Sequence, residues 1–481
     1  MDAIITHECC AVPLKRGTTP DLVVIGAGSA GFSAAIRASE LGARVALIGA
    51  GTIGGTCVNS GCVPSKTLIR AAEALHHGRT ASRFAGIAAS ARLTDWAALM
   101  AQKEALVAGM REAKYAALLA EYEGIRYIES AARFTPEGLI AGDERFPAER
   151  VVIATGASPA LPPIPGIDAV PYLTSTTALA LARPPRSLLV IGGGVIGCEL
   201  GQMFARFGVA VTIVCRSHLL PGFEPELVAA LTEYLREEGI AIRCGVSYQH
   251  LRRGDAGVAL DMTVEGRAEM IAAEQVLVAT GRVPNTAGLA LAAAGIATDA
   301  HGAIAVDDFL QTSRLGIYAA GDVTGRDQFV YMAAHGAKLA AENALGGNTS
   351  RYDSRAMPEV VFTDPQAARV GLSEAEARAQ GLVVRTVTLP LVQVPRALAA
   401  RDARGLIKLV ADERSLRLLG AQILAPEGAD AIQTAVLAIR HGLSVTDLTE
   451  TLFPYLTTVE GVKLAALGFT KDVAKLSCCA G

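Results

Sequence analysis

Four cysteines are spaced as if to work in pairs. Cys57 and Cys62 lie in the run Gly55-Thr56-Cys57-Val58-Asn59-Ser60-Gly61-Cys62-Val63-Pro64-Ser65-Lys66, and Cys478 and Cys479 are adjacent near the end of the chain. A thiol pair can cycle between dithiol and disulfide, or hold a soft metal ion as thiolates. Over five residues a regular helix rises about 7.5 Å, beyond the roughly 6.8 Å Cα separation that a disulfide tolerates. The chain between Cys57 and Cys62 is therefore expected to be a turn or a distorted first helical turn, which Asn59 and Gly61 suit. Pro64 and Ser65 would then lead into a helix from Thr67 to about His76, whose N-terminus favours thiolates. The pair Cys478-Cys479 sits on a terminal segment, and chain ends move unless they are docked. Such a pair can collect a soft ion and pass it on.

The elements that must position these thiols repeat one design. Leu22-Val23-Val24-Ile25 is a short apolar strand, followed by Gly26-Ala27-Gly28-Ser29-Ala30-Gly31 and an alanine-rich helix to about Leu41. Ser187 to Ile191, Gly192-Gly193-Gly194-Val195-Ile196-Gly197 and a helix to about Phe207 repeat it. Both fit the dinucleotide fingerprint, in which glycines make the tight turn and let backbone approach a pyrophosphate at the helix N-terminus. Each copy is followed by an apolar strand ending in Thr-Gly, at Thr155-Gly156 and Thr280-Gly281. A further strand, Gly316 to Ala320, ends in Gly321-Asp322 and places a carboxylate at its C-terminal edge. After the second fingerprint, the strand Val211-Thr212-Ile213-Val214-Cys215 precedes Arg216, where an acid would accept from a ribose 2′-hydroxyl; Arg favours a 2′-phosphate, hence NADPH over NADH. His218 beside it reads as a solvated loop residue. Cys198, Cys215 and Cys244 read as packing cysteines.

Composition excludes several classes. Among 481 residues, apolar types make up 51% and aromatics 5%, with 49 glycines, which suits buried parallel strands flanked by helices. The net charge of −3 with no basic block argues against nucleic acid or an anionic membrane as partner. No apolar run reaches a membrane-spanning length, and Met1 to Pro20 lacks the pattern of a secretory signal. Nine cysteines, unevenly spread, do not form a disulfide framework, so a reducing cytoplasm is the expected location.

This order of elements, together with the twelve-residue cysteine segment, resembles the pyridine nucleotide-disulfide oxidoreductases. Within them, the terminal run Leu476-Ser477-Cys478-Cys479-Ala480-Gly481 resembles the mercuric reductases, and the likeness covers nearly the whole chain. It implies an α/β fold: two Rossmann-like domains, one for FAD (20–155 and 282–352) and one for NADPH (156–281), a C-terminal α+β dimerisation domain (353–481) with Phe362-Thr363-Asp364-Pro365-Gln366 near its start, and an N-terminal tail (1–19). FAD would lie on Gly26, Gly28, Ser29, Ala30, Gly31, Gly55, Thr56, Lys66, Thr155, Gly156, Gly321 and Asp322. NADPH would lie on Gly192, Gly194, Val195, Ile196, Gly197, Glu199, Arg216 and Gly281. The thiol matching Cys62 would lie against the flavin, and Cys57 would meet substrate. Lys66 and Glu199 match an ion pair near the flavin and nicotinamide. Tyr115 matches an active-site tyrosine, and Cys478 and Cys479 would face the other subunit's Cys57 and Cys62 in a homodimer with shared active sites.

The chain departs from the disulfide-cleaving relatives in a telling place. Those that reduce glutathione or lipoamide carry His-Pro-Thr-x-x-Glu near the C-terminus, and the His shuttles thiol protons. Here the segment reads Tyr455-Leu456-Thr457-Thr458-Val459-Glu460. A phenol with an ordinary pKa near 10 cannot replace that His at neutral pH. Reduction of Hg(II) to Hg(0) needs no such shuttle, so the expected substrate is Hg(II) carried as thiol complexes, with Cys57, Cys62, Cys478 and Cys479 as metal-binding residues and Tyr115, Tyr455, Glu460 and Lys66 beside them. The rival readings are an NAD(P)H-dependent thiol-disulfide oxidoreductase and a thiol-based metal-sequestering protein. Two further departures stand out. Gly49 replaces the Glu that usually holds the FAD ribose, and no room precedes Leu22 for the extra metal-binding domain of many relatives. Cys9-Cys10 reads as part of an incidental start.

Overall fold

The computed structural model describes residues 19–255 and 257–476. The chain divides into two compact units: Met1–Ser65, Leu99–Ala160 and Arg282–Ser354 form one, and Lys66–Ala98, Leu161–Gly281 and Arg355–Gly481 the other.

The first unit is built on five parallel strands in the order Ile317–Ala319, Val151–Ile153, Leu22–Ile25, Val45–Gly49, Ile125–Glu129. Three of them read as unbroken apolar runs because both faces are covered. Val23, Ile25, Ile48 and Ile153 pack under a three-stranded antiparallel sheet carrying Phe134, Leu139 and Phe146. Leu22, Val24, Leu47 and Val152 meet the helices Ser29–Glu40 and Val330–Gly346. Fully burying one such Leu or Ile contributes about 1.5–3 kcal/mol. Ala34, Ala35, Ala337, Ala340 and Ala341 are wholly buried in the cluster these helices share, and such small side chains let the two backbones lie close together.

In the second unit four parallel strands run in the order Ala241–Arg243, Ala210–Val214, Ser187–Ile191, Gln275–Val278. The helix Val195–Arg206 follows the central strand, and a three-stranded antiparallel sheet (Val246–Gly254, Gly257–Val264, Arg267–Ala273) covers one face. The C-terminal part is an antiparallel sheet of five strands packed on the helices Gly428–His441 and Glu460–Leu467. A buried ionic network ties the helix Val195–Arg206 to this part. Arg206 pairs with Glu238 at 2.7 Å and Asp364 at 2.9 Å, and Arg404 pairs with Asp364 at 3.0 Å and Asp402 at 2.8 Å.

Candidate active site

The two phosphate loops are the same construction, made once in each unit. Gly26 has φ +120° and Gly192 φ +123°, and a Cβ at either would run into the carbonyl oxygen of the neighbouring strand's end, Ala154 or Ala279. Gly31 and Gly197 lie against the carbonyls of Gly26 and Gly192, where only glycine lets helix and strand approach. Gly28 and Gly194 are the N-caps of the helices that begin at Ser29 and Val195. Ala30 and Ile196 follow in the first turn. Among the described residues, and apart from the chain neighbours, no atom lies within 4 Å of where a Cβ would stand at Gly156, Gly194 or Gly281, which leaves backbone open at each of these positions.

The cysteine segment is fastened to the first of these loops. Gly54 donates its N–H to Ala27 O at 2.8 Å, and a Cβ at Gly55 would stand 2.7 Å from the Cα of Gly28. Thr56 is exposed, and Cys57 and Cys62 are half-buried. Contrary to the expected helix start near Thr67, a short helix Gly55–Ser60 carries Cys57, the backbone breaks at Gly61 (φ −125°, ψ −110°), and the next helix runs Cys62–Arg79. Pro64 is tolerated there because first-turn N–H groups have no helical partner. Asn59 serves by its side chain rather than by turn backbone. It donates to the carbonyls of Ile53 (2.8 Å) and Gly55 (2.9 Å) and accepts from Arg111 (3.1 Å).

Tyr115 links the thiols to the loop. A π-helical turn, Glu112–Ala116, follows the helix Trp96–Arg111 and sets the ring edge-on to Phe32, centroids 5.0 Å apart. Its hydroxyl lies 3.1 Å from Ser29 Oγ. Burial raises its pKa above the ordinary phenol value, the Ser29 hydrogen bond opposes this, and nearby Cys57 and Cys62 add to the rise. The phenol therefore stays protonated beside both sulfurs.

Gly321 (φ +77°) packs against Ala30 and presents Asp322 beside the first loop. Burial pushes the Asp322 carboxyl up, and Arg282, 3.5 Å away, pulls it back. Thr155 and Asn285 bond reciprocally, Thr155 Oγ1 to Asn285 O at 2.8 Å and Asn285 Nδ2 to Thr155 O at 2.9 Å. Arg282 and Asn285 escaped sequence reasoning, although Arg282 directly follows Thr280-Gly281. At Gly49 the space a side chain would need is taken. Its Cβ would lie 2.5 Å from that of Ala27 and 3.2 Å from the Tyr127 ring.

In the second unit Lys66 Nζ and Glu199 Oε2 are 2.7 Å apart. The other Glu199 oxygen accepts from Phe362 N–H at 2.9 Å, and Lys66 stands 4.8 Å above the Phe362 ring. Phe362 was legible only as the start of the last domain. Arg216 is exposed just past the strand Ala210–Val214, and His218 Nδ1 lies 2.8 Å from Leu219 O. Glu460 begins the helix Glu460–Leu467, where Oε2 accepts from Leu456 N–H at 3.0 Å, and Tyr455 is 47% exposed. Cys198 is a buried packing residue as expected. Cys215 and Cys244 are more than that, since their sulfurs are 3.4 Å apart. Cys9, Cys10, Cys478 and Cys479 lie outside the described residues. Among the described residues no helix is long and apolar enough to cross a membrane.

Residues 20–341 match the family described as "Pyridine nucleotide-disulphide oxidoreductase", and residues 357–466 match its dimerisation domain. The chain is 49% identical over 472 residues to a mercuric reductase of Shigella flexneri (96% of this chain, 82% of the relative) and 47% identical over 463 residues to one of Bacillus cereus (96% and 73%). It is 44% identical over 474 residues to one of Streptomyces lividans (97% and 100%). Among solved structures, the Cu(II) complex of the HOCl-induced flavoprotein disulfide reductase RclA from Escherichia coli is similar, with TM-score 0.83, 31% identity, and 94% of this chain and 100% of that one covered.

Proposed function

This chain belongs to the pyridine nucleotide-disulphide oxidoreductase family, and we propose that within it the protein is a mercuric reductase, which reduces Hg(II) to Hg(0) with electrons from NADPH. FAD and NADPH are its cofactors, and it works as a homodimer through its dimerisation domain. One observation above all supports the reading: the dithiol segment Cys57–Cys62 is stapled to the first glycine loop, where the Tyr115 hydroxyl lies 3.1 Å from Ser29 Oγ. Its proposed place is the cytoplasm, and the proposed domains are 20–155 with 282–352 for FAD, 156–281 for NADPH, and 353–481 for dimerisation.

The residues fit both dinucleotides. The backbone left open at Gly156, Gly194 and Gly281 is a cradle that side chains would fill, and two helix N-termini stand ready for pyrophosphates. FAD, when bound, supplies the two-electron relay between nicotinamide and dithiol. Asp322 would accept hydrogen bonds from the flavin's ribityl side, held by Arg282. Arg216 would pair with the 2′-phosphate of NADPH. Lys66, fixed by Glu199, would hold a positive charge beside the flavin and nicotinamide.

Cys57 and Cys62, once reduced, would bind Hg(II) as thiolates. Each exchange from an incoming thiol complex passes a cysteine proton to the departing thiol, so no separate base is needed. Tyr115 keeps its proton throughout and offers an O–H to the sulfurs. We further propose that Cys478 and Cys479 of one subunit deliver the ion to Cys57 and Cys62 of the other, passing Tyr455. The two electrons that reduce the ion would come from NADPH, so both cysteines stay reduced and Hg(0) leaves as a neutral atom.

The test is NADPH oxidation by the FAD-loaded protein in excess small thiol, with and without Hg(II), beside glutathione disulfide and lipoamide. Turnover that depends on Hg(II) is expected. Fast turnover on a disulfide and none on Hg(II) would make the protein a disulfide reductase, and tight binding of Hg(II) without NADPH oxidation would make it a sequestering protein.

A further inference from the structure

The sequence treats Cys215 and Cys244 as unrelated, yet their Sγ atoms meet at 3.4 Å. Parallel pairing brings them there. Val214 faces Arg243 in the register of adjacent strands, and each cysteine is the next residue along. The pair therefore sits at the C-terminal edge of the nucleotide-binding sheet, where ligands of open α/β sheets bind. Backbone bonds fix both positions, since Cys215 N–H donates to Arg243 O at 2.9 Å and Val246 N–H to Cys215 O at 3.1 Å.

The second phosphate loop rests on this pair. A Cβ at Gly193 would lie 3.1 Å from Cys215 Sγ, and the Gly193 carbonyl accepts from Leu220 N–H at 2.7 Å. Arg216, the proposed 2′-phosphate partner, follows Cys215 directly. Cys215 is buried, whereas Cys244 is half-buried and gives solvent a way in.

We propose that Cys215 and Cys244 form a second soft-metal site, at which Hg(II) held as a bis-thiolate competes with NADPH. Delivered as a complex of two small thiols, the ion exchanges both. Two protein S–Hg bonds form, two external S–Hg bonds break, and the two cysteine protons leave on the departing thiols. No electrons move. Two sulfurs on a two-coordinate Hg(II) stand on opposite sides of the ion, so they must part further than 3.4 Å. Cys215 has Gly193 at its back, and the displacement is passed to the loop that holds the pyrophosphate. Occupancy would leave the enzyme reversibly inhibited when Hg(II) outruns the thiol pool.

The probe is Hg(II) supplied as its bis-glutathione complex. It is added to the FAD-loaded variant in which Cys9, Cys10, Cys57, Cys62, Cys478 and Cys479 are serine. Retained metal after gel filtration and the NADPH dissociation constant from nucleotide fluorescence are measured. One Hg(II) per chain and an NADPH Kd raised roughly tenfold or more are expected, with both effects lost on adding Cys244→Ser. Absence of retained metal, retention that survives Cys244→Ser, or an unchanged NADPH Kd each overturns the proposal. The competition presumes that NADPH occupies this loop, but the variant cannot turn over, so a failed reductase assignment would not alter the metal count. If that variant does not load FAD, alkylation of Cys244 in the wild-type holoenzyme gives the answer. Saturating NADP⁺ should slow it, and an equal rate with and without NADP⁺ overturns the coupling.

Discussion

The Lys66–Glu199 pair is asymmetric, and that asymmetry predicts how it fails. Glu199 is 4% exposed and has two partners, Lys66 Nζ at 2.7 Å and Phe362 N–H at 2.9 Å. The Lys66 side chain is 34% exposed and also has the Phe362 ring beneath it. Glu199→Gln keeps the size and can still accept from Phe362 N–H, but it loses a charge-assisted bond worth about 1.5–3 kcal/mol. Lys66 can rehydrate through its open third and keep its ring contact, so the net cost should be about 1–2 kcal/mol. Lys66→Met instead strands a buried carboxylate with a single backbone donor, which costs about 3–5 kcal/mol. The double variant Lys66→Met/Glu199→Gln removes the stranded charge and should be more stable than Lys66→Met alone. Urea unfolding of the four FAD-loaded proteins gives the cycle, with a coupling of at least about 1 kcal/mol expected. A double variant as unstable as the sum of the singles would show that the pair carries no such coupling. In the same variants, rapid-mixing reduction by NADPH should slow while FAD content holds, if the pair stands at the nicotinamide.

Arg216→Glu should weaken NADPH binding much more than NADH binding, since the new charge repels only the 2′-phosphate; equal losses would remove Arg216 from that site. After two-electron reduction, Cys62→Ser should abolish the long-wavelength absorption of a thiolate against the flavin, whereas Cys57→Ser should show it without reduction, and the opposite pattern reverses the two roles. Changing both Cys478 and Cys479 to Ala should spare cofactor binding yet lose most turnover with Hg(II) bis-thiol complexes, with HgBr₂ still reduced in a single turnover; unchanged turnover on thiol complexes would dismiss the tail. For Asp364, burial alone would raise the carboxyl pKa, but Arg206 and Arg404 hold it below the ordinary value. A depressed carboxylate stabilises above its unfolded pKa and loses that contribution as pH falls through the folded value, so the window is below about pH 4. Asp364→Asn should cost about 3–5 kcal/mol at neutral pH and show less acid destabilisation than wild type, and parallel stability curves from pH 2 to pH 6 would contradict this.

What the sequence made legible is what steric necessity writes locally. Gly26, Gly31, Gly192 and Gly197 could be placed because a Cβ at each would strike backbone, so the residue type itself reports the turn. The helix start at Cys62 was not legible, because Cys62, Val63, Pro64 and Ser65 carry no capping signal and Pro64 reads as a break until its first-turn position is known. Arg282 with Asp322, Phe362 with Glu199, and Cys215 with Cys244 are products of strand order and register, which no spacing along the chain encodes. Gly49 was legible as a departure but not as a consequence: only the folded strands show that Ala27 and Tyr127 occupy the place of the missing side chain.

The engagement of Glu460 bears on how a tyrosine, Tyr455, can stand where a proton-shuttling histidine was the alternative. A shuttle needs a carboxylate to orient its ring, and Glu460 is the one retained nearby. Here its Oε2 is committed to the N–H of Leu456, a residue in left-handed conformation (φ 63°), while its own N–H donates to Thr457 Oγ1 at 3.3 Å. The glutamate has become a clamp on the turn that carries Tyr455, and its structural use survives although its partner in acid–base work is gone. Tyr115, in the first unit, is likewise kept protonated, by burial and by the neighbouring thiols. The Tyr115 phenol cannot relay thiol protons at neutral pH, and the proposed chemistry asks for no relay, because each ligand exchange on Hg(II) carries its proton out on the thiol that leaves. Tyr455→His should therefore leave Hg(II) turnover no better, because the proposed exchange needs no proton shuttle, and with Glu460 Oε2 held by Leu456 N–H it should not create glutathione disulfide reduction. Appearance of that activity in the single variant would show that Glu460 is less tightly engaged than its bond to Leu456 implies.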